Sequence, residues 1–378
     1  MKILQLPCHY LPNIGGVETH LHDLVSELSA RGNDVFVLTY LPLTTPASAK
    51  IWESTSDSIK HTGKVNILRL PWLRGLFYSF VQHPIIEFLY LFPPLFIILP
   101  FILLIYNPRV IHAHGLVAGT VAVIWGKIFM KRVVISTHSV YHFPKKSLYT
   151  SFASKLFRSS DAVLTLSHQS ALEIQALGIS KDKVHQFTYW LDLDLFKRDD
   201  LAKKKLKFEG KFVVLFVGRL VQEKGILIAI EAAQNWPKDC LLVIVGIGPL
   251  VQQVSLNKSP NVLYAGKIDQ KNLPLYYSSA DVTLVPSIHD EGFGRVILES
   301  LACSTPVIAA DKKGIREAMN DSVGEIIHIS PETITKTVNK LRNNKQTLKS
   351  YSQQSRKFVE QNYSKANIDV ILQTYEQN

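Results

Sequence analysis

The chain has 378 residues and a formal net charge of +11, and 47% of its residues are hydrophobic. A chain of this length is too long to fold around one ordinary hydrophobic core and suits two domains of similar size. The apolar content excludes a wholly disordered chain. Three widely separated cysteines without a CxxC pair argue against a zinc site or a disulfide framework, so a reducing cytoplasm fits best.

Apolar runs typical of strands alternate with helical patterns through the first half of the chain. The amino-terminal KILQLP carries one charge and is broken at Pro7, which is typical of a first strand and its loop, not of a signal peptide. A helix is predicted from Glu18 to Arg31, and further strands are predicted at DVFVLTY, VIHAHG, VVISTH and AVLTLS.

Glycines and histidines stand where some of these strands end. Gly15 and Gly16 precede the first helix, where free N–H groups can bind phosphate, although a tight strand-to-helix turn explains them equally well. His114 and His138 end two strands that should be neighbours in one sheet. A single histidine at a strand end is more often structural, but two that converge on one edge favour a functional role.

Basic residues dominate the stretch from Val65 to Ser160, which contains ten of them against one acid, Glu87. The most apolar run of the chain, from Phe88 to Tyr106, lies within it. A nucleic-acid groove is the weaker interpretation of this charge, because the aromatic residues cluster with aliphatic ones and do not alternate with arginine and lysine.

Three interpretations of the apolar run remain open. It is nearly long enough to span a membrane, but Pro93, Pro94 and Pro100 would break a straight helix. It could form a pair of buried core helices. The favoured interpretation is a segment that lies in the bilayer surface, because nearby cations and an apolar wedge reinforce each other at anionic headgroups.

The second half repeats the alternation, with strands predicted at FVVLFVG, LLVIVG, VLYAG, VTLVP and PVIAA and a helix from Lys224 to Asn235. Two such series predict an α/β protein with two doubly wound parallel sheets, whose ligands bind beyond the carboxyl ends of the strands in the crevice between them. The polar stretch 197–211 places the domain boundary near Tyr189. Asp192 and Asp194 match a DxD metal motif of another transferase fold, but their position at the hinge favours a structural role.

Two cations follow the first strand of the second half. Arg219 comes after a strand-terminal Gly218 and Lys224 before Gly225, so both are predicted at the crevice, where a guanidinium and an ammonium can neutralise a diphosphate without a metal. Two ordinary surface cations are the alternative. Gly246 and Gly248 after the next strand form a weaker signal, which a mere connecting turn would also explain.

The segment PSIHDEGFGRVILE, from Pro286 to Glu299, carries the most informative spacing. Its Gly-Phe-Gly turn, Gly292-Phe293-Gly294, opens a predicted helix whose free N–H groups can face an anion. Glu299 lies about one and a half turns into that helix, where a carboxylate can accept from both ribose hydroxyls, and Glu291 can reach sugar hydroxyls. Two solvated acids on an amphipathic helix are the alternative for this spacing alone.

Taken together, GGVE, HAHG, STHS, GRLVQEKG, GIGP and EGFGRVILE resemble the retaining, nucleotide-sugar-dependent glycosyltransferases of family four. The resemblance covers nearly the whole chain, and the GR…KG pair followed by the E-x7-E element is its most specific part. It implies the GT-B fold, with two Rossmann-like domains facing across a crevice. The expected acceptor domain is 1–189 with a membrane-facing segment near 77–106, the donor domain is 190–355, and a helix over 356–378 bridges the two.

The resemblance also implies a role for each matching residue. Arg219 and Lys224 would hold the donor diphosphate, Glu299 the ribose and Glu291 the transferred sugar. Further donor contacts are expected from these residues: Gly16, His114, His138, Gly246, Gly248, Gly292, Phe293 and Gly294. His114 would lie near the anomeric carbon, with His114, Arg219, Lys224 and Glu291 forming the catalytic set, and no metal or other cofactor is expected.

Some positions depart from the family pattern. Tyr189-Trp190-Leu191-Asp192 replaces the usual Asn-Gly-Val-Asp at the hinge, Ser304 replaces a glycine, and Lys313 stands where another glycine is common. The hinge change places bulky side chains near the crevice and leaves the acceptor geometry open. The insert from Phe77 to Tyr106 resembles the membrane-facing part of members that glycosylate lipids.

The sequence therefore predicts an enzyme that moves a hexose from a nucleoside diphosphate sugar to an acceptor, with a lipid at the cytoplasmic face of the membrane favoured. An epimerase or hydrolase on the same fold is one alternative. A non-catalytic nucleotide-sugar-binding membrane subunit is another, although the presence of Arg219, Lys224, Glu291 and Glu299 argues against it.

Overall fold

The computed structural model describes residues 1–11, 16–41, 63–70, 84–138, 143–144, 147–289 and 293–377. The chain divides into two compact units. The first comprises Met1–Thr188 and Asn367–Asn378, and the second comprises Tyr189–Ala366. The second unit is therefore inserted in the sequence between two parts of the first.

A parallel seven-stranded sheet forms the centre of the first unit. Its strands are β1 (Lys2–Pro7), β2 (Asp34–Tyr40), β3 (Val65–Leu70), β4 (Val110–His114), β5 (Arg132–Thr137), β6 (Ala162–Thr165) and β7 (Val184–Gln186). Their order in the sheet is β3-β2-β1-β4-β5-β6-β7, so the direction of winding reverses between β1 and β4. The doubly wound topology predicted from the sequence is confirmed, and the edge strands β3 and β7 are additional to the prediction.

Helices cover both faces of this sheet. They are α1 (Gly16–Ala30), α2 (Pro84–Tyr106), α3 (Leu116–Ile128), α4 (Leu148–Ser159) and α5 (His168–Ala176). Alternate strand residues face opposite sides. Leu4, Leu6, Ile111 and Ala113 join the apolar core with α2 and α3, so the intervening Gln5 and His112 lie on the other face.

Helix α2 runs without interruption through Pro93, Pro94 and Pro100, so the expectations that these prolines would break a helix and that the run could form a helix pair are wrong. Pro100 has no N–H to donate to the Phe96 carbonyl, but the Trp125 indole N–H of α3 donates to that oxygen at 2.9 Å. A stripe on α2 is fully packed in the core, which holds the helix in place: Leu91, Leu95, Leu99 and Leu103.

The opposite side of α2 is exposed and apolar. The exposed fractions are 67% for Leu89, 60% for Ile97, 57% for Phe101, 67% for Leu104 and 83% for Ile105. By length and composition, α2 is the one helix among the described residues that could cross a membrane.

The second unit has a parallel six-stranded sheet. Its strands are β8 (Phe212–Val217), β9 (Cys240–Val245), β10 (Val262–Gly266), β11 (Val282–Val285), β12 (Val307–Ala310) and β13 (Gly324–Ile327). Their order is β10-β9-β8-β11-β12-β13, which places the reversal of winding between β8 and β11. The strands predicted here are confirmed to within one or two residues at their ends, and β13 is additional.

The helices of the second unit follow the same alternation. They are α6 (Ala202–Lys205), α7 (Ile226–Gln234), α8 (Val251–Ser255), α9 (Leu273–Ser279), α10 (Arg295–Ala302), α11 (Lys313–Ala318), α12 (Pro331–Asn343) and α13 (Lys345–Asn362). The last helix, α14 (Ile368–Glu376), belongs to the first unit.

The segment 356–378 is not one helix, contrary to the prediction. Helix α13 ends at Asn362, where Tyr363 leaves the helical conformation with φ −131° and ψ 37°, and α14 begins at Ile368. The Tyr363 hydroxyl donates to the Glu317 carbonyl at 2.9 Å, and the Tyr363 carbonyl accepts from Leu191 N–H at 3.3 Å. These bonds fix Tyr363 within the second unit, so the chain turns there before it returns to the first.

Candidate active site

The reversal point of the second sheet brings several predicted residues to one edge. Strands β9, β8 and β11 are adjacent and parallel, so the loops after Val245, Val217 and Val285 leave the same edge of the sheet. Crevices at such reversal points are the usual ligand sites of doubly wound sheets.

Arg219 and Lys224 lie in the loop between β8 and α7. Arg219 is exposed, and Lys224 is half-buried at the end of a short 3₁₀ turn, Gln222–Lys224. Gly225 then adopts φ +69° as the first helix cap, and a Cβ there would be 2.0 Å from the Pro286 carbonyl oxygen. Only glycine allows this approach, which brings Lys224 beside the loop that follows β11.

The loop after β11 is bonded to the same turn. The Glu223 carbonyl accepts from the Ile288 N–H at 2.9 Å and lies 3.0 Å from His289 Nδ1. The chain therefore enters the predicted sugar-binding segment directly next to Lys224. Glu291 and Gly292 themselves lie outside the described residues.

Gly246 and Gly248 lie in the loop after β9, next to the Arg219 loop. A Cβ at Gly246, which has φ +146°, would be 1.8 Å from the Gly218 carbonyl oxygen. The Leu220 N–H donates to the Ile247 carbonyl at 2.9 Å, and the Leu250 N–H donates to the Leu220 carbonyl at 3.0 Å. These contacts give the glycines a packing role, since they let two backbones meet and thereby fix the Arg219 loop.

Helix α10 begins after Gly294, as the sequence predicts, and Glu299 is its fifth residue. The side chain of Glu299 is 8% exposed. Its Oε1 accepts from Arg295 Nε at 3.1 Å, and its Oε2 accepts from the Tyr277 hydroxyl at 2.8 Å. Both carboxylate oxygens are therefore bonded, which fixes the orientation of Glu299.

The carboxylate also affects the tyrosine beside it. Burial, reinforced by the negative charge of Glu299, raises the pKa of Tyr277 well above its ordinary value. Tyr277 therefore stays protonated and remains a hydrogen-bond donor to Glu299.

The Phe293 ring is buried and packs edge-on against Tyr189 at 5.6 Å and against Tyr363 at 5.5 Å. Its side chain thus holds the turn before α10 in the interior of the second unit.

In the first unit, three predicted residues lie at the reversal point between β1 and β4 or one strand beyond it. Gly16 is the first residue of α1, His114 is the last residue of β4, and His138 follows β5. The structure brings the two histidines together, with His114 Nδ1 2.9 Å from His138 Nε2. Gly15 lies outside the described part of the chain.

Both histidines are neutral at physiological pH. Burial lowers the pKa of His114 well below its ordinary value, and it lowers the pKa of His138 to about 4. Neutral imidazoles have one donor and one acceptor nitrogen, so each hydrogen bond that they form has a defined direction.

Sequence reasoning missed four residues that support these sites. Gln5 is a polar residue in the middle of an apolar strand, and His112 lies two residues before His114 on the same strand face, so both carried a local signal. Arg295 and Tyr375 carried none, because their partners are defined by the packing of helices.

Asp192 has a structural role, as expected from its position. Its Oδ1 accepts from the N–H groups of Asp194 at 3.0 Å and Leu195 at 3.2 Å. The carboxylate therefore stabilises a turn after the hinge.

Comparisons with known proteins show which families and folds this chain is similar to. A model of the group 1 glycosyl transferases matches residues 197–358, and a model of glycosyltransferase family 4 matches residues 14–195. An uncharacterized glycosyltransferase of Methanocaldococcus jannaschii is 24% identical over 96% of this chain and 95% of its own length. A D-inositol 3-phosphate glycosyltransferase of Xylanimonas cellulosilytica is 29% identical, and the match covers 45% of each of the two chains.

Solved structures show the same architecture. The crystal structure of Anabaena HepE in complex with UDP aligns with a TM-score of 0.76 and covers 100% of this chain and 99% of HepE. The sequence identity is 21%, so this likeness shows the fold.

Proposed function

We propose that this chain, which belongs to the group 1 glycosyltransferases of family four and has the GT-B fold, transfers a hexose from a UDP- or GDP-sugar to a lipid acceptor. The hexose is of the glucose, N-acetylglucosamine or mannose type, and its configuration is retained. The observation that carries this proposal is the arrangement at the β8–β11 reversal point. There, the Glu223–Gly225 turn, which contains Lys224, is bonded to the segment that leads into α10 and Glu299.

The second unit holds the nucleotide in this proposal. The Arg219 guanidinium binds the diphosphate through two N–H groups, and Lys224 adds a compact positive charge. Glu299 accepts hydrogen bonds from the ribose hydroxyls. The free N–H groups that follow Gly294 support binding of an anion. The UDP in the HepE structure supports UDP-sugars as the first donors to test.

By the resemblance, Glu291 is assigned to the transferred sugar and His114 to the region of the anomeric carbon. His138 is assigned to the acceptor or donor sugar, and the Gly16 backbone to a phosphate. The acceptor hydroxyl attacks from the face that the diphosphate leaves, and a diphosphate oxygen takes its proton. Arg219 and Lys224 stabilise the developing charge, so the proposed reaction needs no metal.

The acceptor is a lipid because the first unit has a surface suited to a bilayer. The exposed apolar side of α2 continues onto neighbouring helices, with Ile128 62% and Leu148 92% exposed. Phe88 of α2 contacts Phe152 of α4 edge-on at 5.8 Å, which joins the two helices at this surface.

Cations lie on or beside the helices that carry these apolar side chains. Exposed side chains of α3 and α4 supply positive charge: Lys127, Lys155 and Arg158. Lys131 donates to the Asn107 side chain, and Lys2 donates to the Tyr106 carbonyl at 3.2 Å, so two ammonium groups lie at the carboxyl end of α2. Apolar side chains flanked by lysine and arginine favour the cytoplasmic surface of an anionic membrane, to which we assign this enzyme as a peripheral protein.

A donor panel tests the proposed activity. Purified protein is incubated with UDP- and GDP-sugars, and nucleotide release is followed with and without membrane lipid extract and with and without EDTA. We expect release from one donor that depends on lipid and is unaffected by EDTA. Release of free sugar at the same rate without lipid would indicate a hydrolase, and binding without release would contradict a transferase with a lipid acceptor.

A further inference from the structure

A chain of buried polar side chains runs through the first unit, from β5 to the last helix. The Tyr375 hydroxyl of α14 lies 2.6 Å from His112 Nδ1 and accepts from Gln5 Nε2 at 3.0 Å. Gln5 Oε1 lies 2.8 Å from His114 Nε2, and His114 Nδ1 lies 2.9 Å from His138 Nε2. Gln5, His112, His114 and Tyr375 are almost fully buried, so this row of hydrogen-bonded side chains is shielded from water.

The Gln5 amide sets the direction of these hydrogen bonds. Its Oε1 can only accept, so His114 Nε2 must carry a proton. Because His114 is neutral, its Nδ1 is then an acceptor, and His138 Nε2 must donate to it. Neutral His138 is therefore left with an unprotonated Nδ1.

The other branch has a matching direction. The Gln5 amide N–H donates to the Tyr375 oxygen, which leaves the Tyr375 hydroxyl proton for His112 Nδ1. His112 Nε2 then donates to the Ser136 hydroxyl, 2.6 Å away. Tyr375 thus supplies the acceptor for the Gln5 amide N–H in this orientation, which would otherwise be buried without a partner.

The opposite direction is disfavoured by His138. If the Gln5 amide were rotated by half a turn, every proton would shift and His138 Nδ1 would carry one. This nitrogen is buried and has no hydrogen-bond partner in the described parts of the chain. A buried N–H without an acceptor costs more than an acceptor lone pair without a donor.

Helix α14 is held firmly enough to perform this task. Arg132 Nε donates to the Thr374 carbonyl at 2.9 Å, and Arg31 pairs with Asp369. These bonds fix the two ends of α14 on the first unit, and the Tyr375 side chain is fully buried.

We propose that Tyr375 is a positioning residue which, through Gln5 and His114, fixes His138 in the tautomer that has a proton on Nε2 and a bare Nδ1. The role of His138 as a sugar contact rests on the proposed function. The tautomer itself does not, so the two can fail separately.

Ring-nitrogen NMR of the protein with ¹⁵N-labelled histidine tests the tautomer directly. A protonated and a bare imidazole nitrogen differ widely in ¹⁵N shift, and the His138 signals are assigned by their loss in His138→Gln. We expect His138 to carry its proton on Nε2 at neutral pH, with or without a nucleotide. A proton on Nδ1 would overturn the proposal whatever the enzyme's activity.

Tyr375→Phe tests the positioning role, with Tyr40→Phe as the matched control. Tyr40 is also a buried tyrosine of the first unit, but its hydroxyl donates to the Leu91 carbonyl. We expect Tyr375→Phe to release the Gln5 amide, to shift the proton of His138 partly to Nδ1, and to lower kcat/KM by about three- to tenfold, the value of one hydrogen bond.

The nucleotide alone separates this effect from a general structural one. The affinity for UDP or GDP without a sugar should be unchanged in Tyr375→Phe, and Tyr40→Phe should keep the wild-type tautomer. Two results would contradict the positioning role. One is a Tyr375→Phe protein that keeps the wild-type tautomer of His138. The other is a Tyr375→Phe protein that loses as much affinity for the bare nucleotide as for the sugar nucleotide.

Discussion

Arg295 and Glu299 form an ion pair one turn apart at the start of α10, with their side chains only 6% and 8% exposed. A pair of charges this deeply buried gives a modest net stabilisation, but removal of one partner leaves a costly isolated charge. The Glu299 carboxylate, which we assign to the ribose, is thus held in place by its own helix.

The first prediction concerns this pair. Arg295→Met should lower the free energy of unfolding by about 3 kcal/mol, because Glu299 would remain buried without its cation. Arg316→Met is the matched control, since the Arg316–Asp311 pair is 60% and 46% exposed and should contribute less than about 1 kcal/mol. Urea denaturation measures both. Equal losses in the two variants would show that burial of the Arg295 pair has no energetic consequence.

Lys224→Ala should lower kcat/KM for the donor by about a hundredfold or more, if the ammonium group stabilises the departing diphosphate. The control is Lys238→Ala, an exposed lysine just before β9, at the opposite end of that strand from Lys224's edge of the sheet. Steady-state kinetics with the donor found in the panel measures the effect. A loss under threefold would remove Lys224 from the proposed catalytic set.

Gly246→Ala should destabilise the protein by at least about 2 kcal/mol more than Gly210→Ala. Both glycines have positive φ, but a Cβ at Gly210 has open space around it, whereas one at Gly246 would overlap the Gly218 carbonyl. Chemical denaturation measures the free energy of unfolding of each variant, and the yield of soluble protein is compared if Gly246→Ala does not fold. Similar costs at the two positions would contradict the close approach of the two loops.

The exposed side of α2 predicts binding to anionic vesicles. Replacing Phe101 and Leu104 with glutamine should weaken binding to phosphatidylcholine–phosphatidylglycerol vesicles by about tenfold or more, since each buried apolar side chain contributes about 1.5–3 kcal/mol. Leu256→Gln is the control, because Leu256 is 68% exposed but lies in the second unit. Co-sedimentation measures binding. An equal effect of the control, or equal binding to vesicles without phosphatidylglycerol, would count against this surface.

The buried histidines predict a loss of stability in acid. Burial lowers the pKa of His138 from 6.5 in the unfolded chain to about 4 in the folded one, so the unfolded chain takes up the proton first. Its contribution is complete above pH 6.5 and is lost as the pH falls towards 4. Melting curves should therefore show a steeper loss for the wild type than for His138→Gln across this range. Parallel curves would indicate that His138 is not held neutral.

The interior strands could be predicted from the sequence because each is a short, continuous apolar run, as in FVVLFV of β8. Edge strands lack this signal. β3 has the sequence VNILRL and is largely exposed, and β7 has only three residues, so neither could be distinguished from a loop. Helix α2 was misjudged for a different reason, since the bond from Trp125 that replaces the one lost at Pro100 comes from another helix.

The residues described at the two reversal points form a predicted group and a missed group. Arg219, Lys224 and His114 follow or end strands, and a sequence shows which residues lie at the carboxyl edge of a parallel sheet. Arg295 and Tyr375 act through side chains whose partners depend on the rotation of a helix about its axis, which a single sequence does not reveal. The sequence thus predicts which residues lie at the carboxyl edges of the sheets better than it predicts the side chains that orient them.

The return of the chain to the first unit at Asn367 affects the order in which the protein can mature during synthesis. The second unit is continuous, so all of its residues have been made once Ala366 is added. The first unit begins earlier but lacks α14, and with it Tyr375, until the second unit has been synthesised. The half that is translated first is therefore the last to acquire its complete set of polar contacts.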